Sequence, residues 1–353
     1  MQEMTSRQRV LETMEHRIPD RVPLFTQGLD PIFIKELGDG NAYRALEALD
    51  VDIFPIRSMV WCEGRPLFAS LKEELPPEME LSGGFFGGWD GVDEFGRIWK
   101  QGSYLGGMVK TEEDIEKYVP PLRLEERTNP EQAKAIMEKF SHKAFTLSSH
   151  TGPFGMTMES MGQVEFCLAF KDNREFVRRH LQARTDWFIG IAKYGQELGV
   201  DIILMGDDVA YKERTFISAE DFDDLVIPQY KRICDAVDLP VIWHSDGYTT
   251  PLMEGAVKAG FAAVHALEPA AGVDLGEVKK NYGGKLVLMG NVDVGDVLCN
   301  DDLEAVRKDV DRCMAQAKEG GGYMLSDCNA IHAACKTAAL KEMYRYGKEA
   351  GRY

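Results

Sequence analysis

Four side chains that close apolar runs could together hold a metal ion. His244 and Asp246 stand in Val241-Ile-Trp-His244-Ser-Asp246-Gly247, Glu268 in Ala-Leu-Glu-Pro, and Cys328 in Leu-Ser-Asp-Cys. Residues two apart on a strand project to the same face, so His244 and Asp246 can share one ion while Glu268 and Cys328 approach from neighbouring strands. Imidazole nitrogen, carboxylate oxygen and thiolate sulfur are zinc donors, and Zn2+ is the ion expected here. Each residue also has an ordinary structural use: a strand-end histidine can be held by hydrogen bonds, Asp-Gly makes turns, and a lone cysteine packs as a small hydrophobe. Their joint position at three strand ends is what points to a site.

The elements that must position them repeat as an apolar, β-branched run, a polar tail and an amphipathic helix. Five copies are clear: Ile202–Met205 leads into Gly-Asp-Asp208, Val241–Trp243 into His-Ser-Asp, Ala262–Leu267 into Glu-Pro, Leu286–Met289 into Gly-Asn-Val-Asp293, and Tyr323–Leu325 into Ser-Asp-Cys. Ser218 reads as the cap of one intervening helix, and residues 302–319 carry apolar positions at helical spacing. Earlier runs at Val22–Phe25, Val51–Ile56 and Ala144–Leu147 bring the strands to eight. Eight alternating units predict a (β/α)8 TIM barrel, whose chemistry gathers at the strand C-termini. A doubly wound open sheet is the alternative, but no Gly-x-Gly-x-x-Gly follows the first strand and no Walker-type loop is present.

Residues 60–120 interrupt the repeat. Gly83-Gly-Phe-Phe-Gly-Gly88 and Asp93-Glu-Phe-Gly-Arg-Ile-Trp99 predict a β-hairpin insertion over the mouth, within a single domain spanning 1–353. Other polar residues at predicted strand ends are expected to position substrate: His150, Asp207, Asp208, Tyr211, Asn291 and Asp293. For Asp208 and Asp293 helix capping is an equal alternative. His16, His142 and His180 read as surface residues, and Cys167, Cys234 and Cys313 as core. Seven cysteines without Cys-x-x-Cys spacing do not make a disulfide framework or a ribbon-type zinc site. With 41 Lys plus Arg against 58 Asp plus Glu, the net charge of -17 disfavours nucleic acid and acidic membranes. No apolar run is long enough to span a bilayer and the N-terminus lacks a signal-peptide core, so a cytoplasmic protein is expected.

An N-terminal helix leading to Asp20-Arg-Val-Pro, then Asp93-Glu-Phe-Gly, Thr151-Gly-Pro-Phe154, His244-Ser-Asp-Gly and Gly290-Asn-Val-Asp, is a set that resembles the uroporphyrinogen decarboxylase family along essentially the whole chain. That resemblance implies the (β/α)8 barrel and one of two activities: cofactor-free decarboxylation of a porphyrinogen-like polycarboxylate, or zinc-dependent methyl transfer to or from a corrinoid protein. The decarboxylases carry an arginine-rich Met-Arg-Gln-Ala-Gly-Arg segment, where this chain has Val22-Pro-Leu-Phe-Thr-Gln-Gly28. Without those guanidinium groups a polycarboxylate lacks its counter-charges. The methyltransferase branch carries His-x-Cys and a later Cys; here His244, Glu268 and Cys328 follow a similar order, with Asp246 in place of the first cysteine. An aspartate keeps the charge and hardens the metal, which suits an O-methyl ether such as a methoxylated aromatic, with a methylcobamide:thiol type as the other member of the branch. No Asp-x-His-x-x-Gly sequence occurs, so the corrinoid is expected on a separate partner protein. The resemblance is also consistent with a homodimer. A barrel that only docks such a partner is the third reading.

Overall fold

The computed structural model describes residues 3–56, 90–101, 103–149 and 151–353. Eight strands form one parallel sheet: β1 (Leu24–Phe25), β2 (Ile53–Ile56), β6 (Ala144–Ser149), β7 (Ile202–Gly206), β10 (Val241–Ser245), β11 (Ala263–Ala266), β12 (Val287–Val292) and β13 (Tyr323–Asp327). Their order is β1-β13-β12-β11-β10-β7-β6-β2. The remaining gap is spanned at its foot, where the Asp52 N–H bonds the Leu24 carbonyl at 2.8 Å and the Leu24 N–H bonds Asp52 Oδ2 at 2.7 Å. This is the expected (β/α)8 barrel, with strand-end positions within a few residues of those read from the sequence.

Two hydrophobic layers follow from the period of two along each strand. Phe25, Ile53, Ala144, Ile202, Leu204, Ile242, Ala263, Val287, Met289 and Met324 fill the barrel interior, while intervening residues such as Ile203, Trp243, Leu288 and Leu325 join the larger core towards the helices. Each fully buried aliphatic side chain contributes roughly 1.5–3 kcal/mol. The N-terminal helix Ser6–Met14, capped by Thr5 in a reciprocal bond with Gln8, presses Val10 into the interior layer. Its Arg9, with Arg21, surrounds the buried Asp52 at 2.7–3.0 Å. The helix therefore plugs the foot of the barrel and leaves the opposite end for chemistry.

The described part of the insertion is an antiparallel sheet of β3 (Gly91–Val92), β4 (Arg97–Lys100) and β5 (Ser103–Gly107). Its turn is built on Asp93, fully buried, which accepts from the Phe95 and Arg97 amides, the Arg97 guanidinium and the Trp99 indole. Gly96, at φ 85°, takes the left-handed position. The sheet docks on the helix Pro153–Met161, with Tyr104 Oη donating to the Glu159 carbonyl at 2.8 Å and Arg97 paired to Glu159 at 3.0 Å, and on Arg184 of the helix Arg174–Leu198. The glycine run 83–88 lies outside the described residues. A small hairpin, β8 (Ala210–Tyr211) and β9 (Arg214–Thr215), follows β7.

Two expectations are corrected. Cys167 is exposed on the helix Gln163–Asp172, whose buried positions are Phe166 and Phe170. His180 is fully buried: it shares a face with Phe176, Val177 and Arg184, sits 3.3 Å from Ser160 Oγ and accepts from Arg184 Nε at 3.1 Å. Polar residues paired inside a helix interface mimic a surface face in the sequence. Among the described residues, no helix is long and apolar enough to cross a membrane.

Candidate metal centre

Strand parity builds the site. On β7, Ile202 and Leu204 point into the barrel; on β10, Ile242 does. Leu204 lies beside Ile242 and Gly206 beside His244. Gly206 has no side chain, so the His244 imidazole has room, and the same parity carried past both strand ends brings Asp208 towards Asp246. One donor atom from each of Asp208, His244 and Asp246 lies within 4.8 Å of the other two. His244 Nε2 is 3.5 Å from Asp246 Oδ1 and 3.9 Å from Asp208 Oδ1, and the Asp246 N–H holds Asp208 Oδ1 at 2.9 Å.

A relay fixes the imidazole. Gln27 Nε2 donates to His244 Nε2 at 2.9 Å, which leaves the His244 proton on Nδ1. That proton is directed to Nδ1 of His265, 2.7 Å away, and His265 Nε2 donates to Ser326 Oγ at 3.0 Å. His265 is the register partner of His244 on β11, so the two rings are neighbours by construction. Burial lowers the pKa of His244, the nearby Asp208 charge opposing this in part, and lowers that of His265 further. His244 is therefore a neutral imidazole whose Nε2 lone pair accepts from the Gln27 amide beside Asp246 and Asp208; a metal bound there would take the place of that hydrogen bond.

The carboxylates carry the complementary signal. Burial raises the Asp246 pKa, and the charges of Asp208 and Glu268 raise it further; the Asn329 amide, bonded to Oδ2 at 2.7 Å, pulls the other way. Asp246 Oδ1 is buried and accepts no hydrogen bond among the described residues, and Gln27 Oε1 shares that condition. Unsatisfied buried oxygens beside an imidazole lone pair are costly alone and compensated by a cation. The donor set thus fits a divalent ion of the zinc class. Glu268 is placed by the left-handed turn at Ala266 and Leu267, φ 86° and 54°, and its Oε2 accepts the Gly247 amide at 2.9 Å. Gly247 is required where it stands: at φ 82°, a Cβ would meet the Tyr211 carbonyl at 2.7 Å.

The other expected site residues separate. Among the described residues Cys328 does not join the Asp208–His244–Asp246 group; its N–H pairs with the Val292 carbonyl, and burial pushes its thiol far up, with Asp293, Asp327 and Glu268 adding to the rise. Asp207, one residue out of parity, faces away from the barrel axis and accepts from the Phe154 and Gly155 amides and the Tyr230 hydroxyl at 2.6–2.9 Å. Burial lifts its carboxyl to about 7. Asn291 is buried between the Leu267 carbonyl and Arg312, and Asp293 Oδ1 accepts the amides of Gly295 and Asp296. Both are therefore engaged in holding loops. Tyr211 is exposed beside the site, and His150 lies outside the described residues. Sequence reasoning did not assign Gln27, His265 or Ser326, and put Asp208 with the substrate. Aligning Trp-His-Ser with Val-His-Ala as adjacent strands would have paired the histidines.

The family described as uroporphyrinogen decarboxylase (URO-D) matches residues 95–349. A curated relative, the methylated-thiol–coenzyme M methyltransferase of Methanosarcina mazei, is 23% identical over 198 residues, covering 54% of this chain and 52% of the relative. The chain thus spans about half that relative's length. A solved structure of a methyltransferase from Methanosarcina mazei superposes with a TM-score of 0.76 over 98% of this chain and 99% of its own, at 17% identity, a likeness of fold.

Proposed function

The chain belongs to the uroporphyrinogen decarboxylase family, and from that premise we propose that it is a zinc-dependent methyltransferase, moving a methyl group between a small substrate and a corrinoid carried by a separate protein. One observation carries the reading: a neutral, relay-backed His244 facing Asp246 and Asp208 at the strand C-termini, with Asp246 Oδ1 buried and without a hydrogen bond among the described residues. A decarboxylase of a polycarboxylate calls for cationic groups in that place; this end of the barrel instead concentrates carboxylates around an imidazole.

Asp208, His244 and Asp246 would hold the ion. Zinc bound there would act as a Lewis acid towards the heteroatom that loses or gains the methyl group. The residues of the chain supply the rest. His265 and Ser326 keep the His244 proton on Nδ1, and Glu268 anchors the Gly247 amide and so the backbone that presents Asp246. Cys328 enters as a ligand only by losing the proton that burial keeps on it. Tyr211 is an exposed side chain at the rim, available for contact with substrate or partner. The corrinoid is assigned to a separate partner protein, in keeping with the lack of an Asp-x-His-x-x-Gly stretch within residues 1–353.

Two carboxylates and one imidazole make a hard donor set, which favours an O-methyl ether, a methoxylated aromatic being the representative compound. A second reading, a methyl thioether or thiol, is favoured by the curated relative's printed activity and by the thiol of Cys328. The test is methylation of reduced cob(I)alamin, followed by its visible spectrum, with zinc-loaded protein and each substrate class in turn. Turnover with either class that disappears in His244→Ala supports the function and identifies the class. No turnover with either, in protein shown to contain zinc, refutes it.

A further inference from the structure

We propose that Cys299, His332 and Cys335 form a second metal site, for a thiophilic divalent cation of the zinc class, that ties together two loops at the C-terminal end of the barrel. Cys299 ends the short turn Val297–Cys299 after β12; His332 and Cys335 lie in the loop after β13. A ligand atom from each lies within 4.8 Å of the other two, in a group separate from Asp208–His244–Asp246. Zinc–sulfur bonds near 2.3 Å and zinc–nitrogen bonds near 2.0–2.1 Å give tetrahedral edges of roughly 3.4–3.8 Å, so the donors stand close to coordinating separation.

The surroundings support preorganisation. Both thiols point at one oxygen, the Val294 carbonyl, with Cys299 Sγ at 3.1 Å and Cys335 Sγ at 3.6 Å. The Cys335 N–H bonds the His332 carbonyl at 2.9 Å, closing the His-x-x-Cys turn, and the Lys336 N–H bonds the Leu298 carbonyl at 2.8 Å, joining this loop to the one that carries Cys299. Cys335 is buried, Cys299 half-buried and His332 exposed, an arrangement with apolar backing and one open side for entry. Ligation replaces the two S–H donors by thiolates on the ion, and the two protons leave to solvent. The fourth position falls to the Val294 carbonyl or to water. Since both loops border the mouth, the ion would fix part of its rim.

Cobalt(II), a spectroscopic substitute for zinc, would be titrated into the full-length His244→Ala chain under reducing conditions, so that the first site is disabled. The expected result is one equivalent bound, with near-ultraviolet sulfur-to-cobalt charge-transfer absorption. That absorption should be lost in the added Cys299→Ser/Cys335→Ser pair, and affinity should fall at least roughly tenfold in His332→Ala, an exposed position whose change spares the core. No charge-transfer absorption, or absorption that survives both the serine pair and His332→Ala, overturns the proposal. So does a Cys299–Cys335 disulfide in fresh protein that takes up no cobalt after reduction. Methyl transfer is not read in this experiment, so its outcome is independent of the proposed activity.

Discussion

Replacing Asp246 by Asn should stabilise the metal-free protein and weaken its zinc binding. Donor oxygens of Asp208 and Asp246 lie within 4.8 Å. At an effective dielectric constant near 20, two negative charges at that distance repel by roughly 3–4 kcal/mol. The two side chains keep 50% and 28% of their surface in water, so about half of this survives screening, or about 2 kcal/mol. The sign with pH follows from the raised Asp246 pKa, about 8 in the fold against about 3.9 in the unfolded chain. A carboxyl whose folded pKa is raised favours folding at low pH, and that contribution is lost as pH rises from about 4 towards about 8. The advantage of Asp246→Asn over wild type should therefore grow from pH 5 to pH 8 in urea unfolding with chelator present, by about 2 kcal/mol or more. Zinc at a hundredfold the dissociation constant of this site adds about 2.7 kcal/mol to wild type and not to the variant, narrowing the gap by that amount. A metal-free variant less stable than wild type at pH 8, or one that binds zinc equally well, refutes the reasoning.

Three further outcomes are expected. His265→Ala should lower zinc affinity by about 10–100-fold in a chelator competition, because the ring holds the tautomer of His244; unchanged affinity would contradict the relay. Asp207→Asn should flatten the pH dependence of stability between about 4 and about 7 by up to about 1.4 kcal/mol per pH unit, since the wild-type carboxyl, raised to about 7, favours folding less as pH climbs. Asp52→Asn should cost about 3–5 kcal/mol in chemical unfolding, because Arg9 and Arg21 would lose their buried counter-charge; a loss below about 1 kcal/mol would show that water already reaches them.

The barrel was legible in the sequence because β-branched runs such as Val241–Trp243 and Leu286–Met289 recur with polar tails, and their ends fall within two or three residues of the strand ends. Asp93-Glu-Phe-Gly was legible as a hairpin for a local reason, a buried aspartate organising its own turn. What escaped depends on register between strands. Asp207 and Asp208 are adjacent in the chain, yet one faces helices and the other the barrel axis, a distinction that appears only when parity is counted from Leu204. His265 looked like one more residue in an apolar run, and its role arises from sitting beside His244. Cys328 has the parity expected of a ligand, but the chain beyond β13 keeps pairing with β12 and leaves its thiol buried. His180 was misplaced because its partners Arg184 and Ser160 come from helix packing that no local pattern encodes.

The most direct test of the mouth as a zinc centre is metal content by elemental analysis in the Cys299→Ser/Cys335→Ser background, which removes the second proposed site. One zinc per chain, falling to none when His244→Ala is added, is the expected result. No zinc after reconstitution, or zinc indifferent to His244→Ala, would contradict the assignment of Asp208, His244 and Asp246 and the methyl-transfer chemistry built on it.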